Sequence, residues 1–258
     1  MKLQLQNTRS YPIAVIAFIF MLIINFVAIA IPLNGLSTGE VADLYPNFFI
    51  PAGLTFGIWS IIYGFLFVFL ILAFKRRNDL IVARILPYFT LTSILNLSWI
   101  IAWHYLLVEV SVVIMLGLLS VLIIIFKIIQ SEKSEDLKIN AWINISMTIY
   151  LAWISVATIA NISAFLVSLN WRGGIMSEQI WTLIMMSVAA LLAIGITSKF
   201  NVPYFSLVVI WAILGIFLRW YESDFTIVVY GSVFLIIIMM IHLIYVSVKT
   251  QVSARIKI

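Results

Sequence analysis

The sequence predicts an all-α polytopic integral membrane protein, a helical bundle with about eight transmembrane helices, and three observations lead to this prediction. Hydrophobic residues make up 64% of the 258 residues and charged residues only 10%, far outside the composition of water-soluble domains. Apolar runs of about 20 residues recur along the chain, and each is long enough to cross about 30 Å of hydrocarbon. Lysine and arginine collect on alternate connections between these runs, as they do in membrane proteins.

The first half of the chain contains four of these apolar runs. They predict spans one to four over residues 11–31, 51–74, 85–106 and 108–129. A polar connection, residues 32–49, follows span one and ends in aromatic residues typical of a membrane surface. Spans three and four follow each other almost directly, so we expect them to form a tight hairpin.

The second half predicts spans five to eight, over residues 139–169, 179–198, 202–218 and 225–248. The turn Trp171-Arg172-Gly173-Gly174 lies between span five and the last three spans. We therefore expect two parts, a membrane bundle of five helices over residues 1–170 and three additional spans over residues 171–258.

The distribution of positive charge predicts the orientation. Of the 15 lysines and arginines, only Arg172 and Arg219 fall on the side opposite to the termini. Because positive residues stay on the cytoplasmic side, both termini are expected in the cytoplasm and the 32–49 connection outside. The net charge of +5 follows this topology, so it does not indicate nucleic acid as a partner.

Several classes of function lack the residues they need. The sequence places no Asp, Glu, Lys or Arg in the middle of any span, whereas proton pumps, voltage sensors and most ion-coupled transporters use such charges. A retinal Schiff base would need a lysine there. The chain has no cysteine and no metalloprotease, phosphate-binding-loop or serine-hydrolase motif, so no catalytic residue and no metal ligand is predicted.

Span two carries the first pattern that indicates a site. Phe56, Trp59 and Tyr63 follow one another at steps of three and four, so they share one face of a helix. Gly53 and Gly57, four residues apart, form a small-residue pair that predicts the close approach of another helix.

Spans three and five carry matching stripes, in which each step is again three or four residues. The stripes are Asn96, Trp99 and Trp103 in span three, and Ser146, Tyr150, Trp153, Ala157 and Asn161 in span five. An amide in hydrocarbon needs a partner, so Asn96 and Asn161 point either into the bundle, as interhelical hydrogen bonds, or at a ligand. At about 1.5 Å per residue, Trp59, Trp99 and Asn161 all lie about 10–12 Å below the outer ends of their spans. Because three spans place these side chains at one depth beneath the 32–49 connection, we expect an apolar pocket with a few polar groups there.

The other tryptophans and the two histidines have simpler interpretations. Four tryptophans at span ends are predicted to be interface anchors: Trp142, Trp171, Trp181 and Trp220. Trp211 is expected in the core. His104 is expected to pack at the membrane interface, with a porphyrin-iron ligand as the alternative. His242 lies in span eight without an acidic companion in that span.

These motifs resemble the tryptophan-rich sensory proteins, the TspO/MBR family, which includes the mitochondrial translocator or peripheral benzodiazepine receptor. The residues that carry the resemblance are Pro51, Phe56, Trp59 and Tyr63 in span two, Asn96 and Trp99 in span three, and Tyr150, Trp153, Ala157 and Asn161 in span five. The resemblance covers about residues 11–170. The chain departs from the family pattern at Ala52, where a second proline is usual, and at Ile149, which also replaces a proline.

The resemblance implies a five-helix bundle, extended here by three spans as in a longer bacterial branch of the family. It implies a hydrophobic small-molecule ligand, a porphyrin or haem, a sterol or an isoprenoid, bound between spans one, two, three and five under the 32–49 connection. The expected ligand-binding residues are Trp59, Tyr63, Asn96, Trp99, Tyr150, Trp153, Ala157 and Asn161. It implies no required cofactor, a bacterial cytoplasmic membrane and a homodimer as a candidate assembly.

Three hypotheses about function follow from these patterns. The first is binding, with sensing or transport, of a flat hydrophobic ligand. The second is enzymatic porphyrin breakdown with Trp59 and Trp153 beside the substrate, as the resemblance allows. The third is a membrane scaffold whose stripes only pack helices and which recruits a partner through spans six to eight.

Overall fold

The computed structural model describes residues 2–77, 79–131 and 137–255, with helices and no strand among them. Eight helices in these ranges are long and apolar enough to cross a membrane, which confirms the predicted class and the eight spans. They are Lys2–Ala30, Ile58–Lys75, Leu80–His104, Val108–Ser131, Leu137–Ser168, Glu178–Phe200, Pro203–Trp220 and Thr226–Arg255. We keep the names span one to span eight for them.

The connection between spans one and two is folded. It contains a 3₁₀ turn, Leu33–Gly35, and a short α-helix, Thr38–Asp43, which we call the lid helix. Ser37 caps the lid helix: its hydroxyl accepts from the Glu40 N–H at 3.3 Å, and the Glu40 carboxylate accepts from the Ser37 N–H at 2.7 Å. Hydrogen bonding of the Glu40 carboxylate to the Ser37 backbone N–H, and then to the Ser37 side chain, lowers the pKa of Glu40. The reciprocal capping fixes where the lid helix begins.

Span two does not begin as an α-helix. A 3₁₀ segment, Gly53–Gly57, precedes it, and its tighter winding changes which side each residue faces. The prediction that Gly53 and Gly57 admit a close helix is wrong, because among the described residues no atom lies within 4 Å of a Cβ placed on either glycine. The close approach occurs instead at Gly215 in span seven, where a Cβ would overlap the side chain of Thr55.

The spans pack in an order that leaves one seam open. Span three packs along spans one and four, span four along span five, and span five along spans two and seven. Spans six, seven and eight pack on one another and join the rest mainly through span seven. Spans one and two meet at only a few residues, so a lateral gap separates them.

The lid helix lies over one end of the bundle, which we call the loop end; the described ends nearest the two termini lie at the other. His104, at the end of span three, holds the connection in place and is fully buried. Its Nε2 lies 3.1 Å from Thr38 Oγ1, its Nδ1 lies 3.2 Å from the Leu33 carbonyl, and its own carbonyl accepts from Asn34 Nδ2. With both ring nitrogens engaged, His104 has a packing role rather than an open coordination site.

Candidate ligand chamber

An apolar chamber lies beneath the lid helix, with walls from spans two, three, five and seven. The chamber has a volume of about 60 Å³, below the roughly 300–1,000 Å³ typical of small-molecule pockets, so a larger molecule would extend into the neighbouring space or displace the rings around it. It is narrow, because tryptophan rings close on it from three spans. Five of the eight predicted residues line it: Trp59, Trp99, Trp153, Ala157 and Asn161.

Trp59 is the centre of the aromatic wall. Its ring centroid lies 6.2 Å from that of Trp99 and 6.1 Å from that of Trp153, which it meets edge to face. Trp99 in turn stacks on Trp103 at 6.0 Å. The stripes of spans two, three and five therefore converge at one level, as their equal depths in the sequence predicted. Aromatic contacts of this kind contribute about 0.5–1.5 kcal/mol each beyond burial.

Asn161 lines the chamber, but its hydrogen bonds are satisfied within the protein. Its carbonyl oxygen accepts from Trp99 Nε1 at 3.1 Å, and its amide donates to Ser111 Oγ at 2.8 Å. These bonds connect span five to spans three and four. Of the two interpretations of Asn161, interhelical hydrogen bonding is the one that the geometry supports, and its effect on the chamber is to fix the Trp99 ring.

Asn96 and Tyr150 do not line the chamber; they lie below it and are fully buried. Asn25 in span one donates to the Asn96 carbonyl at 2.9 Å, and the Asn96 amide donates to the Tyr150 hydroxyl at 3.1 Å. This network ties spans one, three and five together beneath Trp59. The sequence interpretation missed Asn25, although an amide inside an apolar span is itself a signal that a partner is needed.

Three buried polar atoms have no hydrogen-bond partner among the described residues: Trp153 Nε1, the Tyr63 hydroxyl and, in span eight, His242 Nδ1. Trp153 is only 3% exposed and lines the chamber. A buried donor left unpaired costs about 1–3 kcal/mol. An acceptor on a bound molecule would remove that cost, so Trp153 is the polar group of the chamber best suited to fix a ligand.

A second space, the lateral cleft, opens between spans one and two, with a volume of about 620 Å³. Asn25 and Phe26 line it on one side, and the glycines of the 3₁₀ segment, Ser60 and Tyr63 line it on the other. Phe56 and Trp59 line both the cleft and the chamber. Span one thus borders the cleft and not the chamber, and two aromatic rings separate the two spaces.

Span seven supplies chamber residues that the sequence interpretation did not include. Ala212 and Ile216, one turn apart, line the wall between spans two and five. Trp211, expected in the core, is partly buried and donates from Nε1 to the Thr55 carbonyl at 3.0 Å. The division of the chain at residue 170 stays a prediction, but the chamber has walls on both sides of it.

The lid is fastened from two directions. Trp103 Nε1 donates to the Thr38 carbonyl at 3.2 Å, and the Arg219 guanidinium lies 2.7 Å from the Asp43 carboxylate. Trp220, predicted as an interface anchor, donates from Nε1 to the Phe48 carbonyl at 3.1 Å. Burial and the nearby Glu109 carboxylate raise the pKa of Tyr45 beside the lid.

The described residues contain no cluster of His, Cys, Asp or Glu that could hold a metal ion.

Comparison with known proteins gives one match. The family model described as TSPO-like protein matches residues 12–245. Neither a curated protein nor a solved structure matches the chain. The matched range extends beyond the resemblance read from the motifs, because it includes spans six and seven and most of span eight.

Proposed function

The chain belongs to the TSPO-like protein family, and from this premise we propose that it binds a flat, neutral, hydrophobic molecule of the sterol or isoprenoid class in the chamber. The observation that carries the proposal is the Trp153 Nε1–H, a buried donor without an acceptor among the described residues, on a side chain that lines an otherwise apolar cavity. One hydroxyl or carbonyl on a hydrophobic ligand would satisfy it. Binding serves sensing or transport.

The polar groups near the chamber favour a neutral ligand over a porphyrin. A porphyrin carries carboxylates, which need cationic partners when they leave water. The Arg219 guanidinium near the lid is already paired with Asp43, and both ring nitrogens of His104 are engaged, so axial ligation of a haem iron would break an existing bond. Porphyrin is therefore the contrasting ligand in the test, not the expected one.

The lateral cleft suggests how such a ligand arrives. A hydrophobic molecule is already dissolved in the bilayer, and the cleft opens between spans one and two at the side of the chamber. We place the loop end outside a bacterial cytoplasmic membrane, on the charge distribution of the sequence. The ligand then passes from the outer leaflet through the cleft and past Phe56 and Trp59.

Titration of the full chain in nanodiscs tests the proposal. Trp fluorescence is followed with a fluorescent sterol, a linear isoprenoid alcohol and protoporphyrin, and the two neutral probes are expected to saturate. Trp153→Phe keeps a ring but removes the donor, so it should weaken binding about two- to tenfold, as the loss of one hydrogen bond predicts. Trp142→Phe, at a side chain 48% exposed and outside the chamber, is the matched control. Failure of both neutral probes to saturate would refute the proposal.

The same three probes separate the alternatives, with illumination added for protoporphyrin. Porphyrin breakdown, the enzymatic alternative, gains some support from the 6.1 Å contact of Trp59 and Trp153, and it predicts a new absorbing product when protoporphyrin is illuminated with the protein. The scaffold alternative gains support from the internal hydrogen bonds of Asn96 and Asn161, and it predicts that none of the three probes binds.

A further inference from the structure

Contacts with the beginning of span two fix the position of span seven, which forms part of the chamber wall. The Ala52 N–H donates to the Gly215 carbonyl at 2.9 Å, and the Trp211 indole donates to the Thr55 carbonyl at 3.0 Å. Gly215 has no side chain, and the Thr55 side chain occupies the place that a Cβ would take. These contacts leave little freedom for span seven to slide or rotate against the beginning of span two.

The residues of span seven on either side of this junction face the chamber and the lid. Ala212 and Ile216 flank Gly215 and line the chamber. One turn further along, Arg219 pairs with Asp43 of the lid helix, and the Trp220 ring lies 5.0 Å from the Phe48 ring. Ten residues of span seven therefore set both the position of the wall and the position of the lid.

Of the two span-seven residues on the chamber wall, Ala212 is small and Ile216 is large. This difference in size bears on which ligands the chamber accepts. Span five, which packs against span seven, lines the chamber with three small side chains, Ala157, Ala160 and Ala164, beside the larger Trp153, Val156 and Asn161. The larger side chain on the facing helix is Ile216, and Ala212 leaves space one turn away. The gap between these two helices limits the thickness of a bound molecule.

We propose that Ala212 and Ile216 are the specificity-determining residues of the chamber, and that they select flat ring systems over bulkier ones. The proposal rests on the proposed function, since it assumes a ligand in the chamber. It gives span seven, one of the three C-terminal spans, a direct part in binding, because its two residues complete the chamber wall. A single methylene in an apolar pocket changes discrimination by about 10- to 200-fold, so a substitution that adds or removes three carbon atoms suffices to test it.

Two variants of the full chain in nanodiscs provide the test, with a fluorescent sterol and a linear isoprenoid alcohol as probes. Ala212→Leu should weaken sterol binding by about tenfold or more while the flexible isoprenoid loses about threefold or less. Ile216→Ala should improve binding of a sterol that carries an added bulky ring substituent, relative to the unsubstituted sterol. Leu218→Ala, on the same span but 40% exposed, is the matched control and should leave all three affinities unchanged.

A photoreactive sterol gives a second readout that does not depend on how well the variants fold. Its diazirine carbene inserts into the nearest side chain of the wild-type protein, and adducts are expected in the peptide containing Ala212 and Ile216, competed by unlabelled sterol. Saturable sterol binding with adducts only in span one, and with both variants behaving like Leu218→Ala, would overturn the assignment while leaving the proposed function intact. Absence of saturable binding to the wild type would overturn both.

Discussion

Ala157→Phe distinguishes a chamber from a packed helix interface in a single variant. Ala157 lies between Trp153 and Asn161 on span five and lines the chamber with its methyl group. Ala157 is partly buried and the neighbouring wall residues Ala160 and Ala164 are small, so we expect a phenylalanine ring at this position to enter the chamber. We expect the protein to fold with its melting temperature nearly unchanged and to lose affinity for the sterol probe.

The size of the loss follows from the area that the ring removes from the ligand. If the ring covers about 100 Å² of apolar ligand surface, the loss is about 2.5 kcal/mol at about 25 cal/mol per Å². That corresponds to about a 60-fold weaker Kd, since 1.4 kcal/mol is a factor of ten. If span five were instead packed tightly at this position, the same ring would destabilise the fold by about 1–3 kcal/mol.

The assay measures thermal unfolding and sterol affinity on the same preparation. Ala152→Phe is the matched control: Ala152 lies on the same span, is fully buried and does not line the chamber, so its substitution should lower the melting temperature. A lower melting temperature for Ala157→Phe, with unchanged affinity in the folded fraction, would refute the reasoning.

Three further predictions concern the cleft, the junction and the orientation. The Gly57→Leu variant should fold normally, because no described atom lies within 4 Å of a Cβ placed on Gly57. It should slow ligand uptake, measured by stopped-flow fluorescence, because Gly57 lines the cleft. The Gly64→Leu variant should not slow uptake, because Gly64 is equally open but does not line the cleft. Gly215→Ala should destabilise the protein by about 1–3 kcal/mol in thermal unfolding, because its Cβ overlaps Thr55. A reporter inserted in the 32–49 connection should report the outside and a C-terminal reporter the cytoplasm; a cytoplasmic signal from the connection would reverse the orientation.

The parts of the fold that sequence reasoning captured are those fixed by local composition. An apolar run of about 20 residues has few alternatives to a membrane span, so the eight spans were predicted and confirmed. The stripe of Trp99 and the stripe of Trp153 were also visible, because side chains three or four residues apart must share a helix face. The similar depths of these residues below the outer ends of their spans predicted that Trp59 lies beside Trp99 and Trp153. The ring distances agree with this prediction.

The parts that it missed depend on which helices become neighbours. The spacing of Gly53 and Gly57 signals close packing only if the segment is an α-helix with a partner, and here it is a 3₁₀ segment beside an open cleft. Ala212 and Ile216 are apolar residues in an apolar span, so nothing in their identity marks them as part of a site. The contacts of span seven with the beginning of span two and with the lid place them on the chamber wall.

The boundaries of the chamber differ in the number of hydrogen bonds that must break to open them, and this difference supports the lateral route of access that we propose. Below the chamber, the network through Asn96 ties three spans together, and above it the lid is held by Trp103, His104 and Arg219. Each neutral hydrogen bond broken in either direction costs about 0.5–1.5 kcal/mol net. Rotating the Phe56 ring toward the cleft breaks no hydrogen bond, because phenylalanine has no polar atom in its side chain. For a molecule that is already in the bilayer, the aromatic boundary with the cleft is therefore the least costly way in.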